Sequence, residues 1–388
     1  MRLKLKNTPE QVELIKAMGS KNSIVSREAS EAFAAFLGPV VRKVLQQAAT
    51  AGAIYTDAPF NQDEGASYPL DLYYNENNQG YVTTWSQNVA GGLPTSQDVS
   101  AIQELKIATY RLDSAVSITK KYARQARLDV VSKLIERMSQ EVLLKQERNA
   151  WAVALHALAN ANTASVTAAS VGITSLKAGS HVIPAYEQNK FQLSDLNKLM
   201  TLNKRINSSW ADGTPDAAYS SGITDMYVSP EIKEQIRAFA YQPMNTVQAP
   251  SGTSSVPLPD NIRTDIFNSA GMQEIYGVNI VELNEFGTSQ KYNDLFKEFA
   301  GTGSVGPTAA GWTADALGAS SADEVLVGVD NSKGAFVRAL AQDADTGDTF
   351  TTAPDDQFTQ RNERIGFYGS LEEGRVCIDA RAIVGLVV

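Results

Sequence analysis

The chain has one cysteine and two histidines in 388 residues, and from Val44 to Leu105 it has no lysine or arginine. The lone Cys377 excludes an internal disulfide and a cysteine-only metal site and fits a reducing compartment. No apolar run approaches the roughly 18 residues of a membrane span. The N-terminus, "MRLKLKNTPEQVELIK", turns amphipathic at once and lacks the apolar centre of a signal peptide. A soluble protein folded in the cytoplasm is therefore expected. The net charge of −9 argues against a general nucleic-acid binder, which carries a basic face. There is no P-loop, nucleophile elbow or zincin motif. At 388 residues with 43% hydrophobic content, the chain can build two domains or one large discontinuous one.

The stretch without basic residues is organised. "SYPLDLYYNENNQGYVTTWSQNV", residues 67–89, reads as two strands around a turn. Leu70, Leu72 and Tyr74 alternate on the way out, and Tyr81, Thr83 and Trp85 on the way back. Residues 44–105 hold seven acidic side chains, among them Asp71 and Glu76, and no basic one. An isolated two-stranded hairpin is marginal in water, so this acidic arm needs a surface to lie on.

Around it the elements are clear. Residues 1–50 read as helical, with Ser26 as a cap and a break or kink at Gly38-Pro39. "IATYRLDSAVSITKKYA" places Tyr110, Leu112, Val116 and Ile118 on one face of a long strand. From about Arg127 to Asn160 the apolar residues keep a helical period with no proline or glycine. Such a helix is roughly 50 Å long, far beyond the average of about 11 to 12 residues. "ITDMYVSPEIKEQIRAF" reads as a strand followed by a helix with Ser229 as cap and Pro230 at its first position. Residues 242–262 and 301–322 read as loops. "RIGFYGSLEEGRVCIDARAIVGLVV" reads as a strand, a Glu-Glu-Gly turn and a final strand apolar enough to be buried on both faces.

Candidate chemistry is sparse. "GTGSVG" (301–306) has dinucleotide-fingerprint spacing, but it lacks the preceding strand and following helix, so a loop is expected. "DADTGD" (343–348) resembles half a calcium loop, but its glycine is misplaced and Pro354 stands where the chelating glutamate belongs, so a solvated turn is expected. His156 and His181 read as packed or surface residues rather than a base or metal ligands. Cys377 reads as a small buried hydrophobe rather than a nucleophile. The pairs Asp355-Asp356 and Glu372-Glu373 read as solvated turns. No enzyme site, cofactor or metal is expected.

"ITDMYVSPEIKEQIRAF", "IYGVNIVELN", "EVLVGVDNSKGAFVRAL" and the C-terminal "RIGFYGSLEEGRVCIDARAIVGLVV" resemble, in this order, the signatures of tailed-bacteriophage major capsid proteins of the Hong Kong ninety-seven-like fold. Gly328, Asp330, Lys333 and Gly334 match that family's Gly-Asp-…-Lys-Gly hairpin. The resemblance covers almost the whole chain. It implies an α+β fold with an N-terminal arm (1–50) and an extended loop (51–105). A peripheral domain with a spine helix (106–190 and 365–388) and an axial domain (191–364) complete it. It implies hexamers and pentamers in an icosahedral head around double-stranded DNA, assembled in a host cytoplasm with scaffold, portal and decoration proteins. An encapsulin-like cargo shell is the alternative on the same fold.

The resemblance also gives the acidic arm a place. In this fold the extended loop reaches over a neighbouring subunit's peripheral domain and spine helix. Residues 106–148 hold ten basic and five acidic residues. The expected contact sets Leu70, Leu72, Tyr81, Trp85, Asp71 and Glu76 of one subunit against Lys120, Lys121, Arg124, Arg127, Lys133 and Arg137 of the next, with opposite charges fixing register. The alternative is two separately solvated charge regions. The loop has no lysine, so the isopeptide cross-link of some family members is not available from it. With about 50 residues before the arm, no maturation cleavage and a separately encoded scaffold are expected.

Overall fold

The computed structural model describes residues 8–47, 51–61, 65–69, 104–125, 128–161, 181–187, 189–206, 222–239, 274–300, 323–343, 349–355 and 363–388, with Thr264 and short pieces at 244–245 and 255–256. Two helices open the chain, α1 (Pro9–Met18) and α2 (Ser23–Gln47). Next come β1 (Thr56–Asn61), β2 (Ser67–Pro69), β3 (Glu104–Lys106), β4 (Tyr110–Thr119), α3 (Lys120–Arg124) and α4 (Leu128–Asn160). Then follow β5 (Val182–Pro184), α5 (Leu193–Ile206), β6 (Asp225–Val228), α6 (Pro230–Ala238), β7 (Met244–Asn245) and β8 (Ser255–Val256). The last group is β9 (Glu274–Ile275), β10 (Val278–Glu282), α7 (Lys291–Ala300), β11 (Val325–Val329), β12 (Phe336–Gln342), β13 (Phe350–Asp355), β14 (Arg364–Cys377) and β15 (Ile383–Val387). This is an α+β chain, and it divides into two compact units.

Unit one comprises Met1–Pro69, Glu104–Trp151 and Phe336–Val376. Its sheet runs β1-β12-β14-β13, with β4 also paired to β14. β4 lies antiparallel to β14 from Tyr110↔Glu373 to Thr119↔Arg364. The pleat therefore turns Ile365, Phe367 and Leu371 to one side. There they join Phe33 and Leu37 of α2 and Val131, Ile135, Met138 and Val142 of α4 in one core. Two expectations about α2 need correction. Its cap is Asn22, whose Oδ1 accepts from the Ile24 N–H at 3.2 Å. Ser26 sits inside the helix and donates to the Met18 carbonyl at 2.7 Å, tying α2 to α1. The helix also continues through Gly38-Pro39 to Gln47. Proline removes one bond from a 25-residue helix whose Ala29, Phe33, Ala34 and Leu37 are buried, and packing of that face holds the rest.

Unit two's described part is Ala152–Ala335 and Cys377–Val388, with the gaps noted above. Its sheet runs β5-β15-β11-β6-β10-β9. β15 is buried at every position and lies between β11, antiparallel, and β5, parallel. That environment explains its unbroken apolar run. Ser229 caps α6 as expected, accepting from the Ile232 N–H at 3.1 Å. Ile232 and Ile236 of α6 and Leu196 and Leu199 of α5 pack on Met226, Val228, Leu326 and Leu386. Of the expected 242–262 loop, the described residues form a small antiparallel pair, Met244↔Val256 and Asn245↔Ser255.

The division departs from the expected boundaries. Residues 336–364, assigned to the axial domain, supply β12 and β13 to unit one. Residues 365–388 do not form a hairpin. β14 is one 14-residue strand without a turn at Glu-Glu-Gly, and β15 joins the sheet of unit two. The period of two in "IGFYGSLEEGRV" is satisfied by pairing with β4 and β13, whereas "IVGLV" needs cover on both faces. Gly369 marks how closely unit one is packed. A Cβ there would meet Met138 Cε at 2.4 Å and Phe350 Cζ at 2.5 Å. We expect Gly369→Ala to lower the free energy of unfolding by about 1–3 kcal/mol through overpacking, read as a lower urea midpoint. An unchanged midpoint would mean that the site has spare room.

Candidate inter-subunit surface

The arm leaves unit one through a closed base. β2 and β3 pair antiparallel, Tyr68 opposite Leu105, and the Ile107 N–H donates to the Ala66 carbonyl at 2.9 Å. The two legs of the excursion therefore start side by side, as a hairpin-like loop requires. Leu70, Asp71, Leu72, Glu76, Tyr81 and Trp85 lie outside the described residues.

Both roots of the arm are held by side-chain bonds, which on the outgoing side centre on the buried Glu373. On the incoming side, the Ala51 N–H donates to both carboxylate oxygens of Glu147 at 3.0 Å. The Tyr55 hydroxyl donates to the Ala150 carbonyl at 2.8 Å. On the outgoing side, the Thr109 hydroxyl donates to Glu372 at 2.7 Å, and the Tyr110 hydroxyl donates to Glu373 Oε1. Glu373 is fully buried. Its Oε2 accepts from Gln146 Nε2 at 3.1 Å and from Arg375 Nη2 at 3.2 Å. The Arg375 guanidinium lies 4.8 Å from the centre of the Tyr55 ring. Charged groups this deep persist only when paired and hydrogen-bonded. The network joins residues 51–55 and 109–110, on either side of the loop, to α4 and β14. Gly374 permits the approach, since a Cβ there would stand 2.8 Å from the Ala108 carbonyl oxygen.

Glu372-Glu373, expected as a solvated turn, is therefore the centre of this arrangement. The signal lay in the register. Glu373 shares the inward face of β14 with Leu371, and Arg375 follows two residues on.

The basic region is partly as expected. Val131, Ile135, Met138 and Val142 of α4 face the core, while Lys133, Arg137, Glu141 and Lys145 are exposed. Their spacing of four makes a stripe along the helix, and Leu144 beside it is 42% exposed. Lys121 is exposed and Lys120 half-buried, and Arg127 lies outside the described residues. Arg124 is exposed but anchored to α1. Its Nε donates to the Gly19 carbonyl at 2.8 Å, and its stem fills the space where a Cβ on Gly19 would lie.

The remaining candidates sit in structural roles. His156 is exposed, bonded to the Asn160 amide at 3.1 Å and edge-on to Phe299. His181 is buried with Nδ1 3.0 Å from the Ile383 carbonyl, and burial lowers its pKa. The Cys377 thiol is pushed up to about 12, first by burial and then by Asp379, which keeps it protonated and a poor nucleophile. In the Gly-Asp-…-Lys-Gly segment, Gly328 leaves room for Ile223 and Val384. Asp330 caps the turn by accepting from the Ser332 N–H at 3.0 Å, and Gly334 takes a left-handed φ of 56°. "GTGSVG" and 344–348 of "DADTGD" lie outside the described residues. Asp355 lies in β13, paired with Gly366, not in a turn. Among the described residues no group of three or more His, Cys, Asp or Glu side chains is placed to hold a metal. Among them no helix is long and apolar enough to cross a membrane.

No family model and no curated protein matches the chain. Among solved structures it is similar to the capsid of cyanophage P-SCSP1u, at 13% identity over 87% of this chain and 88% of that one, with a TM-score of 0.47. It is similar to a structure from Microbacterium phage Oxtober96, at 12% identity over 88% and 90%, TM-score 0.44. It is also similar to a virus-like particle from Pyrococcus furiosus, at 10% identity over 90% and 97%, TM-score 0.40. At such scores the functional reading rests on the chain's own elements.

Two outcomes follow from the buried network. Glu373→Gln leaves Arg375 buried without its counter-charge, so unfolding should become easier by about 3–5 kcal/mol. Adding Arg375→Met should recover a large part of that loss, both read by denaturant unfolding. The second outcome concerns alkaline pH. The Tyr110 hydroxyl is pushed up to about 12 from 10.0, chiefly by burial and then by the Glu373 charge. The Cys377 thiol rises from 9.0 to about 12. The unfolded chain then releases these protons first, so stability is full below about pH 9 and falls as pH rises towards 12. Tyr110→Phe should lessen the fall in melting temperature over that window, and an unchanged slope would contradict the role given to Tyr110.

Proposed function

We propose that the chain is the repeating subunit of a closed protein shell, a major capsid protein of the Hong Kong ninety-seven-like kind that encloses double-stranded DNA. One observation carries the reading. An acidic excursion is rooted by side-chain bonds at both ends beside a 33-residue helix that turns a basic stripe outward. A hairpin of that kind gains nothing by itself in water, and a second copy offers the opposite charge that it lacks. The described elements that support the reading are a helical N-terminus, a long strand, a long helix and a second unit with its own sheet.

In this reading the arm of one subunit lies on the α4 stripe of the next. Trp85, Leu70, Leu72 and Tyr81 supply the apolar contact, and the acidic residues face Lys121, Lys133 and Arg137. The charge pattern fixes register and partner choice more than affinity, and a buried aromatic such as Trp85 is the anchor. The role is structural rather than enzymatic, with scaffold and portal proteins as partners and DNA held without sequence specificity. The arm carries no lysine, so cohesion across this contact is noncovalent.

Electron microscopy of the purified protein, expressed alone and with its neighbouring genes, tests the reading. Closed particles or rings of five and six are expected, and a monomer under every condition would contradict it. Particles filled with a protein cargo instead of DNA would favour the encapsulin-like alternative. In assembled particles, the double reversal Asp71→Lys and Glu76→Lys should raise the subunit concentration needed for assembly by about tenfold at low salt. At about 1 M salt, where charges are screened beyond about 3 Å, the difference should shrink. Equal assembly at both salts would remove the electrostatic part.

A further inference from the structure

The hairpin that joins β9 to β10 turns on two residues, Tyr276 and Gly277, between the paired Ile275 and Val278. Ile275 and Val278 are buried in the core of unit two, so the turn is firmly placed. Both turn residues have positive φ, 54° for Tyr276 and 81° for Gly277. Two positive φ values are what a type I′ turn requires, and asparagine followed by glycine is its preferred filling. Glycine meets the requirement freely. Tyrosine does not, because a bulky side chain in the left-handed region is an outlier and tyrosine favours extended strands.

Among the described residues the strain brings nothing in return. Tyr276 is 56% exposed. Among the described residues no hydrogen bond, ring or cation meets it. A Cβ on Gly277 would touch nothing within 4 Å, so the tip stands clear. Tyr186 of the same unit, 46% exposed, differs in having the Lys198 ammonium 5.2 Å from its ring. A residue that strains its own turn and presents an unpartnered ring to water marks a contact made outside the chain.

We infer that Tyr276 anchors a contact with a second copy of this chain. The inference rests on the shell reading, which surrounds each subunit with identical copies. Among the described residues β9 ends its sheet and is two residues long, and Tyr276 at the tip is 56% exposed, so a neighbour can reach it. A tyrosine buries about 150–250 Å² when covered, and tyrosine is enriched among residues that dominate interfaces. The exposed Glu274 and Asn279 on either side form a polar rim.

Tyr276→Asn separates the two roles. Asparagine suits the turn, so the dissociated subunit should melt at the same temperature as wild type or higher. Assembly should fall at least tenfold in particle yield at equal protein concentration, measured by size exclusion and electron microscopy. Tyr276→Phe, which keeps the ring, should retain most of the yield. A lower melting temperature for Tyr276→Asn would overturn the inference, because the ring would then serve its own subunit. Wild-type particle yield from Tyr276→Asn would also overturn it, and would leave the shell reading standing. Failure of the wild-type chain to assemble in the same experiment would bring down the shell reading itself and this inference with it.

Discussion

The structure of unit one depends on holding a carboxyl group, Glu373, fully buried. Tyr110, Gln146 and Arg375 surround it, and each comes from a different element: β4, α4 and β14. If any one of them moves, a charge or a polar group is left unsatisfied at a cost of kilocalories. Directional bonds of this sort specify where elements sit, which an apolar core alone does less sharply. Here they fix the two places where the chain leaves for the arm and returns from it. In the proposed contact, a loop of more than thirty residues would meet its partner in one register, and roots that cannot drift favour that.

The rest of the account follows from what those roots hold. α4 turns one stripe to the core and another outward, and the outward stripe is basic where the arm is acidic. Within one subunit the two charge sets need not meet. In the proposed shell each set would meet its complement on an identical neighbour, because a heterologous contact between copies repeats around a closed ring. The exposed Leu144 within the stripe offers an apolar point for an aromatic from the arm.

Much of this was legible in the sequence, and the rest failed for identifiable reasons. The long strand, the long helix and the Ser229-Pro230 start of α6 were readable because their signals are local: period, cap and first-turn proline. Glu372-Glu373-Gly374 was misread because turn residues and a buried charged pair use the same side chains. Only pairing with Tyr110 and Gln146, both far away in sequence, decides between them. The destination of "IVGLV" was equally non-local. Its apolar run announces burial, but nothing near it says which sheet receives it. Ser26 looked like a cap because a serine before an apolar run usually is one, whereas here Asn22 comes first and Ser26 binds back to α1. Of the proposed contact residues, the basic excess over 106–148 was countable in the sequence, but which of them turn outward on α4 was not. Nor was the engagement of Arg124 with Gly19 legible, since it depends on how α1 folds back.

The central claim is that the arm of one subunit lies on the spine helix of another. Its most direct test is a disulfide between two different chains. Glu76→Cys and Arg137→Cys would be made separately, each protein mixed with the other, assembled and oxidised. The account predicts a cross-linked pair that forms in the mixture and is absent from either protein alone. A bond that forms only when both cysteines are placed in the same chain would show the arm lying on its own subunit, and would contradict the account.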